Sequence, residues 1–385
     1  MADAKVTYRP APGVLQWARE TAGVAIADAA SRLGVTANTV ARWEAGEKEV
    51  LISRLEELAR FYRRPLAALF LPAPPETAPL PHDFRRLPAG QKAPLSKESL
   101  LVIREARRIQ RVAGELAAEM GQEPARIGPA LRTHAAPEQL AAQERQRVGI
   151  TVREQRSWRR PGAALRHWRE ALEGLGVLVL QFPMPMQDAR GFSLCEDAPP
   201  VIVLNSGDSP NERIFTLFHE YAHLLRGSSA LCIPEVTTSA AVLHGEREEP
   251  FCNAFAGAFL LPAEALTDAL AGRRPSDETI AEMAAAFSVS RHVVLHRLEN
   301  LELLTGVGFE RKLAELEVQQ AEAAPRSKGG RRSAAQRCIG TRGRRFVRLV
   351  LGARERDLIT RRDVADYLSL RVQHFDAVEA MVSGG

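Results

Sequence analysis

The chain has 385 residues, of which 45% are hydrophobic and 26% charged, a composition typical of a globular protein with more than one core. It contains no run of 18 apolar residues and no apolar leader, so the sequence predicts a cytoplasmic protein without a membrane partner. The formal net charge of +5 and the pI of about 9.2 are compatible with a nucleic-acid partner but do not require one. No two cysteines form a CxxC pair, which predicts free thiols at Cys195, Cys232, Cys252 and Cys338.

Residues 12–71 have the apolar spacing of short packed helices. In the stretch IADAASRLGVTANTVARWEAGEKEV, Gly34 lies where a tight turn between two helices needs a residue free of Cβ strain. Thr36 can cap the next helix, predicted over about 37–45, through its hydroxyl. Asparagine and arginine side chains on such a helix can make paired hydrogen bonds to base edges in the major groove. The predicted DNA-binding residues are Thr36, Asn38, Thr39 and Arg42.

Residues 30–46 have the pattern A-x-x-L-G-V-T-x-x-T-V-x-x-W-E-x-G and are followed by LEELARFYRRPLAALF. The pattern resembles the Cro/repressor-type helix-turn-helix family, also called the xenobiotic-response-element family. That resemblance implies a double-stranded DNA operator as partner. Family members often have a polar, phosphate-contacting residue at the start of the second helix, where this chain has Ala25 and Ile26. A small helical scaffold that binds protein instead of DNA is the alternative.

Residues 209–227, SPNERIFTLFHEYAHLLRG, predict one capped helix. Ser209 and Glu212 have the spacing of a capping box, and a proline and a glycine suit the first position and the end. Five apolar residues repeat at helical spacing on the face opposite His219 and His223. Because the apolar face is the core face, we expect both histidines to point away from it into a cleft.

The His-Glu-x-x-His pattern places two imidazoles one helical turn apart, where they can occupy two corners of a zinc tetrahedron. A third protein ligand leaves the fourth corner for water, whose pKa zinc lowers while it polarises the substrate carbonyl. Glu220 can then accept the proton of that water and pass it to the leaving amine. The pattern therefore predicts His219 and His223 as zinc ligands and Glu220 as the catalytic base. Manganese is the alternative metal for this ligand set.

The stretch EREEPFCNAFAGAFLLP predicts a second helix, ended by its last proline. Glu249, near its N-terminal end, is the candidate third ligand, as in a gluzincin-like site. Asn253, one turn later, is a candidate to orient a ligand from outside the coordination sphere. Because Pro250 disfavours helical conformation at Glu249, Glu248 and Glu246 remain rival ligands.

The motifs F-T-L-F-H-E-Y-A-H-L-L (215–225) and E-x-x-C-N-A-F-A-G-A-F-L-L-P (249–262) resemble those of the ImmA/IrrE family of zinc metallopeptidases. A Cro-type helix-turn-helix ahead of such a peptidase domain is a known arrangement of this family. DFRRLPAG before these motifs and the winged-helix-like AEMAAAFSVSRHVVLHRLENLELL after them also fit. The resemblance implies a zinc-dependent metallo-endopeptidase that cuts a repressor or another regulatory protein, and leaves the substrate open.

The stretches 176–182, 191–196 and 201–205 have the apolar, β-branched character of strands. The sequence therefore predicts an α+β fold that is predominantly helical. Residues 323–348 hold nine Lys or Arg and no acid, which predicts a flexible basic connector. The expected regions are a helix-turn-helix domain (1–71), a Pro-rich linker (72–96), a zincin-like metallopeptidase domain with a small sheet (97–305), a helix and basic linker (306–335) and a small helical C-terminal module (336–385).

Two other functions compete with a DNA-targeted protease. One is a transcriptional regulator whose peptidase fold is a sensor or interaction domain with little proteolysis. The other is an antitoxin-like repressor whose body binds a partner. The presence of Glu220 favours the protease, because a regulator freed from catalysis has no chemical need for that carboxylate. The sequence leaves open whether the protein is a monomer or a homodimer.

Overall fold

The computed structural model describes residues 6–76, 95–123, 125, 127, 135–228, 231–232, 248–322 and 332–383. These residues form two compact units, one built from residues up to 104 and the other from residue 105 onward. None of the helices in those ranges is long and apolar enough to cross a membrane. The predominantly helical α+β fold predicted from the sequence is confirmed.

The first unit is a bundle of short helices with a two-stranded antiparallel ribbon. Its elements are β1 (Thr7–Tyr8), α1 (Val14–Glu20), α2 (Ile26–Leu33), α3 (Ala37–Glu44), β2 (Val50–Leu51), α4 (Ile52–Phe61) and a 3-10 helix (Leu66–Phe70). Val40 and Trp43 of α3 are buried against the other helices, as their spacing predicts. The buried ion pair between Arg19 and Glu44, 2.7 Å from Nε to Oε1, ties α1 to α3. This packing holds α3 in one orientation and leaves its polar face outside.

The second unit contains the larger core. Helix α5 (Lys97–Glu119) contributes residues to both units. The remaining elements are α6 (Pro137–Val148), α7 (Val152–Ser157), α8 (Pro161–Gly174), β3 (Leu178–Phe182), β4 (Gly191–Leu194), β5 (Val201–Asn205), α9 (Pro210–Arg226), β6 (Leu231–Cys232), α10 (Glu248–Leu260), α11 (Ala263–Leu270), α12 (Asp277–Phe287), α13 (Arg291–Asn300), α14 (Val307–Glu322), α15 (Ala334–Arg342), α16 (Arg344–Glu355), α17 (Arg361–Leu368), a 3-10 helix (Val372–His374) and α18 (Phe375–Ser383).

The four-stranded sheet has the order β3-β5-β4-β6. Strands β3 and β5 are parallel, with Val179 opposite Ile202, whereas β4 runs antiparallel to both of its neighbours. The three predicted strands are present within one or two residues of their expected ends. The two-residue strand β6 was not predicted, because so short a segment carries no alternation of apolar and polar residues.

Helix α9 lies in the centre of the second unit, between the sheet and helices α8 and α10. Aromatic side chains fill the space around it: the Phe218 ring stacks on Phe259 at 4.1 Å, and Trp168 meets Phe218 edge-on at 5.0 Å. All three rings are buried, and such contacts stabilise a core beyond the area that they bury. The position of α10 relative to α9 is therefore fixed by large side chains.

The predicted flexible connector over 323–348 is wrong from residue 334 onward, where α15 and α16 are helical. Helix α16 begins inside the basic run because Phe346, Val347 and Val350 recur at helical spacing and are buried. Arg348, between Val347 and Val350, is exposed. Residues 323–331 lie outside the described ranges.

Candidate metal centre

Helix α9 begins and ends where its local sequence predicts. The Ser209 hydroxyl accepts a hydrogen bond from the backbone N–H of Glu212 at 3.3 Å, and Pro210 occupies the first turn. Gly227 ends the helix with φ of 71°, a left-handed conformation that favours glycine. In a full capping box the Glu212 carboxylate would also accept from the Ser209 backbone N–H. Here that carboxylate instead lies 3.4 Å from the Arg190 guanidinium. The cap places His219 and His223 in the middle turns of a regular helix.

Helix α10 begins at Glu248, so Pro250 falls in its first turn. A first-turn residue has no intrahelical partner for its backbone N–H, and proline is tolerated there. Glu249 is consequently helical, which removes the expected conflict between Glu249 and Pro250. Its carboxylate is turned toward the two histidines of α9.

Three buried polar side chains hold the far end of α10. The Arg145 guanidinium donates to the Phe259 carbonyl at 2.7 Å, the Gln155 amide donates to the Leu260 carbonyl at 3.0 Å, and the Arg297 guanidinium donates to the Leu261 carbonyl at 2.8 Å. Burial lowers the pKa of Arg145 to about 10, which still leaves that group charged at neutral pH. These bonds satisfy carbonyls that the end of a helix leaves unpaired, and they anchor α10.

Three metal-binding side chains converge between α9 and α10. The Nε2 atoms of His219 and His223 are 3.2 Å apart. The Glu249 carboxylate reaches both, with Oε2 at 3.4 Å from His219 Nε2 and Oε1 at 3.2 Å from His223 Nε2. Within the described part of the chain, this is the one group of three or more His, Cys, Asp or Glu side chains arranged to hold a metal ion.

The spacing of these atoms fits a tetrahedral metal ion. Ligands about 2.0–2.1 Å from a tetrahedral zinc ion are separated from each other by about 3.3–3.4 Å. The 3.2 Å between the two Nε2 atoms, and the 3.4 and 3.2 Å from them to the two oxygens of the Glu249 carboxylate, are close to that edge length. Two imidazoles and one carboxylate are also the donor types that zinc accepts in open sites. The residues present therefore fit zinc with one position left for a further ligand.

Each histidine is oriented through its other ring nitrogen. His219 Nδ1 lies 2.9 Å from Asn253 Oδ1, an acceptor that fixes the tautomer with the proton on Nδ1. His223 Nδ1 lies 3.4 Å from the Ser228 hydroxyl and 4.0 Å from a Glu248 oxygen. Glu248 is itself held by the Ser228 hydroxyl at 2.9 Å. Asn253 and Ser228 thus orient the two rings, and both Nε2 atoms face the space that they share with Glu249.

The protonation states also suit a metal. Burial lowers the pKa of His223, which keeps its imidazole neutral at pH 7. Burial alone raises the pKa of the Glu249 carboxyl, but the close approach of the His219 and His223 rings outweighs burial and holds that pKa well below its ordinary value. Neutral imidazoles and an ionised carboxylate are the forms that bind metal ions, so binding displaces few protons at neutral pH.

The expectation that the histidines face an open cleft is wrong. His219, Glu220 and His223 are all 0% exposed, because α10 lies across the face of α9 that points away from the apolar stripe. Beneath Glu220, strand β4 approaches α9 closely at Gly191. A Cβ atom there would lie 2.6 Å from Thr216 Cγ2 and 2.7 Å from the Val203 carbonyl oxygen. Only glycine permits this close approach beside Glu220.

The structure distinguishes Glu249 from the other residues near the metal centre. Glu248 pairs with Arg226 at 3.0 Å and contacts the metal-facing side of neither histidine, so its geometry is that of an outer partner. Glu246 lies outside the described residues. The Tyr221 hydroxyl donates to Glu144 at 2.5 Å on the opposite side of α9, which is a packing role. Sequence patterns missed Ser228 and Gly191, because neither residue belongs to a motif and their neighbours come from other elements.

The head residues lie on α3 and its cap. The Thr36 hydroxyl accepts from the Thr39 backbone N–H at 3.2 Å, so Thr36 caps α3 as expected. Asn38 and Arg42 are exposed, and Thr39 is half-buried. Arg42 lies 3.6 Å from Glu47 in an exposed pair, which contributes little and can open when another anion approaches. The polar face of α3 is therefore available to a ligand.

Comparison with known proteins gives two family matches. Residues 172–299 match the IrrE N-terminal-like domain, and residues 15–69 match a helix-turn-helix domain. The radiation response metalloprotease IrrE of Deinococcus deserti is 34% identical over 148 residues, which cover 36% of this chain and 49% of that protein. The chain thus spans about half the length of this curated relative. The first match contains all five residues of the predicted metal centre, His219, Glu220, His223, Glu249 and Asn253. The chain therefore combines a helix-turn-helix domain with a peptidase domain of the IrrE type, and the predicted resemblance to the ImmA/IrrE family is confirmed.

Proposed function

We propose that the protein is a DNA-binding regulator whose peptidase domain hydrolyses a peptide bond in a repressor or another regulatory protein. The observation that carries the proposal is the convergence of His219, His223 and Glu249, whose ring nitrogens and carboxylate oxygens lie at distances close to those between tetrahedral zinc ligands. Glu220, between the two histidines in sequence, supplies a carboxylate beside it. The Deinococcus relative is a radiation response metalloprotease, which supports the proposed peptidase activity.

In the proposed mechanism, His219, His223 and Glu249 hold the metal, and Asn253 keeps the His219 ring in the metal-binding tautomer. Zinc, when bound, supplies a Lewis acid that polarises a peptide carbonyl and acidifies water. Glu220 accepts the proton of the attacking water and delivers it to the leaving amine. Manganese is the alternative metal for the same donors.

In the same proposal, α3 carries the protein to a double-stranded DNA operator. Asn38 and Arg42 are exposed on this helix and can pair with base edges, while Thr36 and Thr39 lie at the helix start, where they can contact a phosphate backbone. A protease that acts on gene regulators gains from being held at the DNA where those regulators bind, because the local concentration of its substrate rises.

The proposed metal binding is tested by elemental analysis of the purified full chain. We expect about one zinc ion per chain, lost in His219→Ala and retained in His296→Ala, a matched change at an exposed histidine of α13. A metal-free protein that does not take up zinc would remove the basis of the proposal.

The proposed operator binding is tested with Asn38→Ala and Arg42→Ala, which should weaken specific DNA binding without changing the zinc content.

The peptidase half is tested by incubating the protein with the products of neighbouring genes, with zinc or manganese, and identifying new termini by mass spectrometry. Glu220→Gln should retain zinc and abolish cleavage. Cleavage that survives in Glu220→Gln would show that this residue is not the base.

One observation favours a second candidate function. His219, Glu220 and His223 are completely buried, so a peptide has no access to the catalytic carboxylate in this conformation. A regulator or antitoxin-like repressor, in which the peptidase fold serves as a sensor or interaction domain, fits that burial. Wild-type protein that binds zinc and DNA but yields no new termini in any substrate mixture would support this second function.

A further inference from the structure

The basic charge of the chain is concentrated at its C-terminal end. Residues 332–383, here called the C-terminal module, contain 11 arginines and 6 acidic residues, a difference of 11 − 6 = +5. The formal net charge of the whole chain is also +5, so the remaining residues balance. Neither family match extends into the C-terminal module. A local excess of positive charge of this kind is typical of surfaces that bind nucleic acid.

The C-terminal module repeats the backbone geometry of the helix-turn-helix head. In the head, α2 ends at Gly34 (φ 61°, ψ 40°), the Val35 N–H donates to the Ala30 carbonyl at 3.0 Å, and Thr36 is extended (φ −81°, ψ 153°). In the C-terminal module, α17 ends at Ser369 (φ 46°, ψ 48°). The Leu370 N–H donates to the Ala365 carbonyl at 3.0 Å, and Arg371 is extended (φ −73°, ψ 143°). The two turns are thus equivalent residue by residue.

The apolar residues around the two turns also correspond, at a constant offset of 335 positions. Ala30, Leu33, Val35, Val40 and Trp43 of the head become Ala365, Leu368, Leu370, Phe375 and Val378. Four of these C-terminal residues are buried and Ala365 is half-buried. The buried side of a helix-turn-helix is therefore present in both places. The second helix differs in its first turn, which is 3-10 over Val372–His374 before α18 begins.

The same turn occurs between α12 and α13 and shows that the turn alone does not make a DNA-binding surface. There, Ser288 is left-handed (φ 55°, ψ 44°), and the Val289 N–H donates to the Ala284 carbonyl at 3.0 Å. On α13, however, Val293 and Leu295 are buried against neighbouring helices, where the head has Thr39 and the exposed Ala41. The C-terminal module resembles the head in this respect, since His374 is half-buried and Asp376 exposed.

Three exposed arginines occupy the positions that meet the DNA backbone in such domains. Arg361 and Arg362 stand at the start of α17, where the head has Ile26 and Ala27, and Arg371 stands where the head has Thr36. The start of the first helix and the start of the second are the places where helix-turn-helix domains contact phosphates. Within the described residues, no ion pair is formed by any of these three arginines.

The acidic side chains of α17 are engaged within the protein. The Asp363 carboxylate accepts from the Thr360 backbone N–H at 2.8 Å in a capping box, and Asp366 pairs with Arg108 at 3.2 Å. On α18, by contrast, Asp376 and Glu379 are exposed. Two carboxylates on the outer face of the second helix disfavour close insertion into a groove, because DNA is anionic. The surface therefore suits phosphate contacts at the helix starts more than base reading.

We propose that the C-terminal module is a second DNA-binding element, which holds the backbone of double-stranded DNA through Arg361, Arg362 and Arg371 without reading its sequence. In the head, Ala25 and Ile26 supply no side chain for phosphate at the start of α2. The C-terminal module has arginines at the equivalent positions. We infer DNA as the partner because the three arginines lie at the starts of the two helices of a helix-turn-helix. This binding does not depend on whether the peptidase domain cleaves a substrate.

The test measures binding of the full chain to a random-sequence DNA duplex by fluorescence anisotropy over a range of salt concentrations. The slope of log K against log salt is negative, and each lost phosphate contact reduces its magnitude by about 0.9. The triple variant Arg361→Gln, Arg362→Gln, Arg371→Gln should therefore reduce that magnitude by about 2.7. The corresponding triple change to lysine should retain it, because lysine also neutralises phosphate.

The matched control is Arg153→Gln, Arg159→Gln, Arg274→Gln, which removes the same charge from exposed positions outside the C-terminal module. The proposal predicts a nearly unchanged slope in this control. An equal decrease in the control, or no decrease in the module variant, would overturn it. Loss of binding to single-stranded RNA alone would do so too, and would assign the surface to RNA. The head variants Asn38→Ala and Arg42→Ala separate the two sites, because they should reduce preference for an operator and leave the random-duplex slope in place.

Discussion

Asn253→Ala tests whether the hydrogen bond behind His219 contributes to metal binding. The 2.9 Å contact between His219 Nδ1 and Asn253 Oδ1 fixes both the tautomer and the ring orientation. Removing such a partner typically weakens metal affinity 10- to 100-fold, which corresponds to about 1.4–2.7 kcal/mol at about 1.36 kcal/mol per decade. The assay is competition for zinc between the full-length protein and a chromogenic chelator at constant pH.

Two variants make the result specific. Asn253→Asp retains an acceptor at the same place and should bind zinc at least as tightly as the wild type, because a carboxylate is the stronger acceptor. Asn211→Ala removes an amide from the start of α9 that donates to the Val289 carbonyl at 3.0 Å, away from both histidines. Zinc affinity in Asn253→Ala within twofold of the wild type, or an equal loss in Asn211→Ala, would refute the positioning role.

Three further predictions concern the surroundings of the metal centre. Gly191→Ala should lower the free energy of unfolding by roughly 1–3 kcal/mol, because its Cβ would lie 2.6 Å from Thr216 Cγ2; Gly162→Ala, where a Cβ meets nothing within 4 Å, is the control in urea titrations. Arg145→Met should destabilise the protein by at least about 1–3 kcal/mol, because it leaves the buried Phe259 carbonyl without its donor, and exposed Arg153→Met should not. Burial lowers the pKa of His223 below its ordinary 6.5, so the unfolded chain binds a proton first as pH falls. The metal-free protein should therefore be less stable to urea at pH 5.5 than at pH 7.5, and a His223→Gln variant with an equally steep pH dependence would contradict this assignment.

Local rules account for what the sequence predicted well. A cap, a first-turn proline and a terminal glycine act within one helical turn, so Ser209, Pro210 and Gly227 define α9 without reference to the rest of the chain. The same holds for Thr36 and α3 in the head. Strand stretches with continuous apolar character were also predictable, because a sheet buried on both faces needs no alternation.

Local rules failed where a neighbour from a distant part of the chain decides. Residues 334–348 read as a basic connector, yet packing of Phe346 and Val350 makes this stretch helical. The open cleft expected beside the histidines is covered by α10, whose path across α9 cannot be read from the spacing within either helix. The turn shared by Gly34, Ser288 and Ser369 likewise has one backbone geometry and different exposures.

By itself, the sequence determined the helix that carries His219, Glu220 and His223 and predicted a two-histidine metal site, because both depend on residues four apart in one helix. Only the tertiary structure decided between Glu249 and Glu248, one residue apart. Aromatic packing around Phe259 and the bonds from Arg145 and Arg297 set where α10 crosses α9. That crossing turns Glu249 toward the Nε2 atoms and Glu248 toward Arg226. The contacts that set it are distant in sequence: His219 and Asn253 are more than 30 residues apart, and Arg145 and Phe259 are more than 100 apart.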